Sequence, residues 1–349
     1  MQSTRFIQIF AVFVSCLTLA ACRHKPHKPL KKAFYYWKTN FDLTGFEQQK
    51  LDSIGCQSLY IRFFDIVWDK GRNEPKPVAV SRLAQATRNN YSYIPVVFIT
   101  QEVLSQINTG SLEGFVRNFS RLLYEKCLQA KINPPEIQID CDWTKNTKAK
   151  YFRLLELCKQ QPFFKDKTLS CTIRLHQLRY PEINGIPPVD KGLLMCYNMG
   201  NLKLAGDNNS ILDLNVARRY TTHLHDYPLF LDVAFPLFSW SLLYDDKNRF
   251  AGILREVTQK DLNNNTAIFE PAGRHLFRVI KDTIFEGYHL KAAAIIRHES
   301  CSPEQLYQLA ELVAAKLPNV STLIFYHCDS LILSKYSNDE LEKICHSFN

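Results

Sequence analysis

From Ala33 onward, short apolar runs alternate with longer amphipathic ones, the pattern of parallel strands joined by crossover helices. The apolar runs predict strands at 33–38, 58–64, 93–99, 136–142, 169–175, 192–198, 229–235 and 321–328. Helices are expected near 44–54, 78–90, 111–131, 146–161, 213–226, 303–317 and 338–347. The helix after Ser302 has the clearest start: a Ser N-cap, Pro303 at the first helical position and Glu304 in the first turn. Between the fifth and sixth strands, Pro181, Pro187 and Pro188 predict a loop. The segment 236–300 breaks the rhythm with short alternating runs and turn signals at 245–248 and 263–265, and reads as a small β-rich insertion. Eight strands in this order predict an α/β fold: a (β/α)8 TIM barrel over 33–349, with the insertion at about 236–300, after strand 7.

The fourth predicted strand carries the candidate chemistry. In Glu136-Ile137-Gln138-Ile139-Asp140-Cys141-Asp142, side chains repeat every second residue, so Gln138, Asp140 and Asp142 share one face. Ile137, Ile139 and Cys141 share the other, suited to packing against helices. Two acids near the C-terminal end of an inward face fit the mouth of a parallel barrel, where barrel enzymes keep their catalytic groups.

Charge and the N-terminus change the picture next. The chain is 46% hydrophobic and 22% charged, a globular composition, with net charge +9. Residues 1–32 hold six Lys/Arg and no acid, leaving 37 basic against 34 acidic residues, or +3, for the body. A nucleic-acid binder carries its excess on the folded surface, so none is expected as a partner. Residues 1–21 read as an export signal, an apolar run after Arg5. Leu19-Ala20-Ala21-Cys22 resembles the lipobox of bacterial lipoproteins. That resemblance implies cleavage before Cys22, lipidation of its sulfur, and acyl chains (palmitate among them) holding the protein to membrane lipid. Residues 22–32 then form a lipidated, basic, Pro-broken tether; Arg23 stands where inner-membrane retention uses Asp, which favours the outer membrane of the cell envelope. Nine further cysteines, without zinc-type spacing, read as buried thiols, with a disulfide or two left open.

With the strands placed, the chain resembles the barrel of family 18 glycoside hydrolases, the chitinase-like group. It resembles more closely a family of uncharacterised bacterial lipoproteins whose fourth strand reads Gln-Ile-Asp-x-Asp. Asp140 and Asp142 match the second and third acids of the chitinase D-x-x-D-x-D-x-E strand. Met195-Cys196-Tyr197-Asn198 matches its sixth-strand M-x-Y-D/N, and Ala234-Phe235-Pro236 loosely echoes the seventh strand. The resemblance implies catalytic roles: Asp142 polarises a sugar acetamido group, Asp140 is its electrostatic partner and Tyr197 a hydrogen-bond donor. The departures matter equally. Ile137 replaces the first Asp, Tyr326-His327 stands where the eighth strand usually ends in Trp, and the catalytic Glu falls on Thr144, whose hydroxyl is no useful acid. Losing general-acid catalysis removes about 10²–10⁴ in rate.

Arg62, Arg174, His176, Asn198, Asp232 and Trp240 are expected around the mouth as substrate-binding groups. Arg174 is read first as the neutralising partner of an interior acid. Asp232, Glu299 and Asp329 are the candidate substitute acids, each also readable as a satisfied carboxylate. Aromatics crowd the strand ends, and two or three are assigned to a glycan. With 12 glycines and no ligand cluster, no cofactor and no metal are expected. Two functions stay open: a glycan-processing enzyme, or a non-catalytic barrel binding glycan or protein in an envelope assembly.

Overall fold

The computed structural model describes residues 29–83, 91–317 and 319–348. The export signal and Cys22 lie outside the described residues, as does the 84–90 part of the helix expected at 78–90; residues 79–83 are not helical. Within Leu30–Phe348, eight parallel strands close a ring: β1 (Lys31–Tyr36), β2 (Cys56–Asp69), β4 (Ser92–Ile99), β5 (Glu136–Asp140), β6 (Thr168–Arg174), β7 (Lys191–Met195), β8 (Leu231–Pro236) and β16 (Thr322–Tyr326). Closure comes from β1, which pairs with both β16 and β2. All eight predicted strands are present and the fold is a (β/α)8 barrel.

Alternation of side chains builds its two faces. Outward residues such as Ile137, Ile139 and Cys141 are fully covered by the helices around the ring. Among these are Leu112–Gln129, Lys148–Lys159 and Pro303–Ala314. The last starts as expected: Ser302 Oγ accepts from Gln305 N at 3.2 Å, and the Gln305 side chain accepts from Ser302 N at 3.0 Å.

Inside, the barrel is polar and tiered. At the N-terminal end, Lys191 Nζ bridges Glu136 at 2.8 Å and Asp232 at 2.6 Å. Tyr60 and Ser170 donate to Glu136 as well. Above them Tyr35 donates to Gln138, and then Thr172 Oγ1 donates to Asp140 at 2.6 Å. Buried polar groups this closely paired form a satisfied plug.

Two features differ from expectation, and the insertion forms where it was expected. β2 runs well beyond the ring and folds back onto β3 (Glu74–Val78), an antiparallel edge strand. Between β6 and β7, two short helices, Leu175–Arg179 and Pro181–Asn184, replace the expected loop, with Pro181 at the first helical position. After β8 the insertion forms an antiparallel sheet in the order β10-β9-β15-β12-β11. These strands are β9 (Trp240–Tyr244), β10 (Phe250–Leu254), β11 (Phe269–Pro271), β12 (Leu276–Val279) and β15 (Ile295–Glu299). A hairpin, β13 (Thr283–Phe285) with β14 (Tyr288–Leu290), completes it. Its own core includes Leu254, Phe269, Val279 and Ile296.

Candidate functional site

Where β5, β6 and β7 end, a cavity of about 560 Å³ opens. Asp142, Thr144, Arg174, His176, Tyr197, Asn198 and Trp240 all line it. A slightly larger groove, about 620 Å³, lies outside the ring against β3 and the helix Leu112–Gln129. It gathers none of the candidate residues, so the mouth is the site.

Asp142 follows β5 directly, and Arg174 closes β6, the neighbouring strand. They meet face to face: Arg174 Nε lies 2.5 Å from Asp142 Oδ1, and a second guanidinium nitrogen 2.9 Å from Oδ2. Such a bidentate pair fixes both groups. Burial works against the Arg174 charge, but Asp142 and Asp140 overcome it and hold its pKa above the ordinary arginine value.

Asp140 sits one step deeper, 6% exposed, and does not line the cavity. Burial, and then the adjacent Asp142 carboxylate, push its pKa up to about 6 against the pull of Arg174 and the Thr172 hydrogen bond. Near neutrality a proton on Asp140 is therefore within reach. His176 is the second residue of the helix Leu175–Arg179 after β6; burial and the Arg174 charge both lower its pKa, so it is neutral under the same conditions.

Tyr197 lines the cavity but is only 3% exposed, and its buried hydroxyl has no hydrogen-bond partner among the described residues. Burial and then Tyr326 raise its pKa well above the usual phenol value, so it keeps its proton as a donor. An unpaired buried hydroxyl costs about 1–3 kcal/mol, which a ligand acceptor would relieve.

Thr144, where a catalytic Glu would stand, is within 3.4 Å of Gln101 Nε2 and 3.3 Å of Thr147 Oγ1. Asp142 is the one carboxylate among the lining residues. Of the substitute acids, Glu299 is nearest, but both its oxygens are taken. Oε1 accepts from Arg297 at 2.7 Å, and Oε2 from Ser210 at 2.5 Å and Trp240 Nε1 at 2.7 Å. Asp329 pairs with Lys38 at 2.9 Å and caps the helix Ser330–Leu333.

Two expected binding groups stand elsewhere. Asp232 is the second residue of β8, so it points inward at the N-terminal end of the barrel. There it accepts from Thr322 N at 2.7 Å and pairs with Lys191, away from the mouth. Arg62 does not line the cavity; it forms a bidentate pair with Asp65, with Nε at 2.7 Å, and lies 5.8 Å from the Trp37 ring centroid.

The aromatics expected at the strand ends form a cluster, of which Tyr197 and Trp240 line the cavity. Tyr326 contacts Tyr197 (centroids 5.5 Å apart), Trp37 (5.8 Å) and Phe238 (5.6 Å), and Phe238 contacts Trp240 at 5.2 Å. Trp37, Phe238 and Trp240 are only partly buried. Other aromatics near strand ends, Tyr35, Tyr36, Phe63, Phe64 and Trp143, are at most 1% exposed and serve the core. Among the described residues no group of His, Cys, Asp and Glu gathers to hold a metal, and the nine cysteines are buried and free.

The sequence matches no protein-family model and no curated protein. Solved structures do match. The spore cortex-lytic enzyme SleL of Bacillus cereus is similar with a TM-score of 0.56 at 13% identity, over 93% of this chain and 75% of its own. A chitinase of Chromobacterium violaceum gives 0.53 at 11%, over 91% of this chain and 98% of its own. The family 18 chitinase ChiB of Flavobacterium johnsoniae gives 0.54 at 11%, over 92% and 94%. At these identities the likeness carries the fold: the chain is a (β/α)8 barrel of the kind found in family 18 chitinases, with extra strands outside the ring.

Proposed function

We propose that this protein is a lipid-anchored barrel of the bacterial cell envelope that binds a glycan in its mouth without hydrolysing it. Anchoring is through Cys22, with the outer membrane favoured. The observation that carries the non-catalytic reading is the double hydrogen bond between Arg174 and Asp142, the one carboxylate lining the cavity, with Thr144 at the acid position. A carboxylate held by a guanidinium has little freedom to polarise an acetamido group, and no lining residue can protonate a leaving oxygen. What the mouth offers is recognition. Trp240 in the lining, with Phe238 packed beside it, suits stacking on a sugar ring, and the Tyr197 hydroxyl, without a partner among the described residues, suits an acetamido or hydroxyl oxygen.

The test uses chitooligosaccharides and envelope glycans, assayed together for binding and for reducing-end release. Binding without release, kept in Asp142→Asn, is expected. Release by the wild type that disappears in Asp142→Asn would make the protein an enzyme instead. Metabolic palmitate labelling that persists in Cys22→Ser would remove the anchoring part of the proposal.

A further inference from the structure

A second groove, about 540 Å³, lies on the outside of the barrel between the helix Leu112–Gln129 and the turn 161–167 that leads into β6. Its charged lining is wholly cationic: Arg117, Arg121, Lys165 and Lys167. The side chains of Arg117 and Lys165 make no hydrogen bond or ion pair among the described residues. Arg121 has only Glu125, at 3.9 Å and with both side chains largely exposed, while Lys167 donates to Asn133 at 2.7 Å. Two exposed acids flank it without lining it: Asp166, between the two lysines in sequence, and Glu113, one turn before Arg117.

Its apolar wall is Tyr124 against Phe163, with centroids 5.3 Å apart, and Lys167 lies 5.2 Å from the Phe163 ring centroid. Tyr124 is 45% exposed and Leu128, one turn further along the helix, 57%. Ser120, also in the lining, is 4% exposed with a hydroxyl that has no partner.

The place of the groove matters as much as its lining. Asn133 precedes β5 and Lys165 and Lys167 precede β6, so the groove opens toward the N-terminal end of the barrel. β1 starts from that same end at Lys31, and the mouth is at the other.

We propose that this groove seats the phosphate of an anionic phospholipid headgroup, so that the barrel rests its N-terminal end on the bilayer and turns its mouth away. Guanidinium and ammonium groups without internal partners are what a phosphate diester requires. Exposed Tyr and Leu beside them suit the headgroup–acyl boundary. The inference rests on the lipid-anchored reading, under which the nine Cα–Cα steps from Cys22 to Lys31 span at most about 30 Å and keep this end near the headgroups.

The test reconstitutes the full chain on phosphatidylcholine vesicles, with and without phosphatidylglycerol, and follows hydrogen exchange in segments 112–131 and 161–167. Phosphatidylglycerol should slow exchange there about tenfold relative to phosphatidylcholine alone, and the double variant Arg117→Gln/Lys165→Gln should abolish the difference. Those two side chains hold nothing in the fold, so unchanged exchange in β1–β8 certifies the variant. Equal exchange on both vesicles, with the protein bound to both, overturns the groove and leaves the anchor standing. Failure to bind either vesicle overturns the anchor and this inference with it. If inorganic phosphate on neutral vesicles protects both segments as well as phosphatidylglycerol does, the headgroup is the wrong occupant.

Discussion

Asp140 makes the stability of this barrel depend on pH in a direction opposite to that of most paired carboxylates. Its side chain faces burial first, then the carboxylates of Asp142 and Asp65, against the charge of Arg174 and one hydrogen bond from Thr172. The folded pKa of about 6 lies above the value of 3.8 expected in the unfolded chain. Each pH unit between them corresponds to about 1.4 kcal/mol, so ionising Asp140 removes about 3 kcal/mol of folding stability. Because the folded value is the higher one, this contribution is fully present below about pH 4 and is lost as pH rises through about 6. Asp140→Asn keeps an oxygen for the Thr172 hydroxyl and removes the titration. Urea unfolding of both proteins at about pH 4 and about pH 7.5 reads the effect, since groups remote from Asp140 cancel in the difference. The variant should gain about 3 kcal/mol on wild type between the two conditions. A difference that stays flat, or moves toward wild type as pH rises, refutes the placement of Asp140 as a buried neighbour of Asp142.

Lys191→Met strands Glu136 and Asp232, whose side chains are 10% and 1% exposed, and should cost about 3–5 kcal/mol in denaturant unfolding; a loss below about 1 kcal/mol would mean the plug is not held by charge. Tyr197→Phe deletes a hydroxyl without a partner, so stability should hold or rise by about 1 kcal/mol while glycan affinity falls about tenfold by calorimetry. Stability lost at constant affinity would make Tyr197 a packing residue. The nine cysteines between Cys56 and Cys345 are buried and free, so a thiol reagent should label them only after unfolding; prompt labelling at these positions in the native protein would contradict their burial.

Much of this architecture was legible because a parallel barrel enforces period two. Gln138 and Asp140 point inward and Ile137 and Ile139 outward because the strand allows nothing else, and the ring was countable from its apolar runs. Alternation tells which face a residue takes but not how high it sits. Asp232 is inward as its pattern implied, yet it lies at the opposite end from the mouth because β8 begins only at Leu231. Arg62 and Asp65 were hidden for a related reason. Residues three apart on a regular strand face opposite ways, and only the register shift between Arg62 and Phe64 brings them together. No strand is expected from the sequence at Glu74–Val78, where Pro75 and Pro77 stand; on the free edge of β3 their missing donors are tolerated. The helices at Leu175–Arg179 and Pro181–Asn184 are too short for any periodicity to register.

The electrostatics of the mouth bear on which of the two functions survives. Asp142 is matched by Arg174, Asp65 by Arg62 and Glu299 by Arg297, while Asp140 is held close to its neutral form by burial. An acid–base pair needs carboxyls whose protons can move to a ligand, and these are committed to partners inside the protein. Nor does such a site favour a charged ligand, since the lining cation is already occupied. What is left uncommitted is the aromatic wall and one phenol hydroxyl, a combination that stacks on and hydrogen-bonds to a neutral sugar. Charge balance closed within the protein, together with Thr144 at the acid position, therefore supports the proposed reading, in which the barrel would hold a glycan rather than cut it.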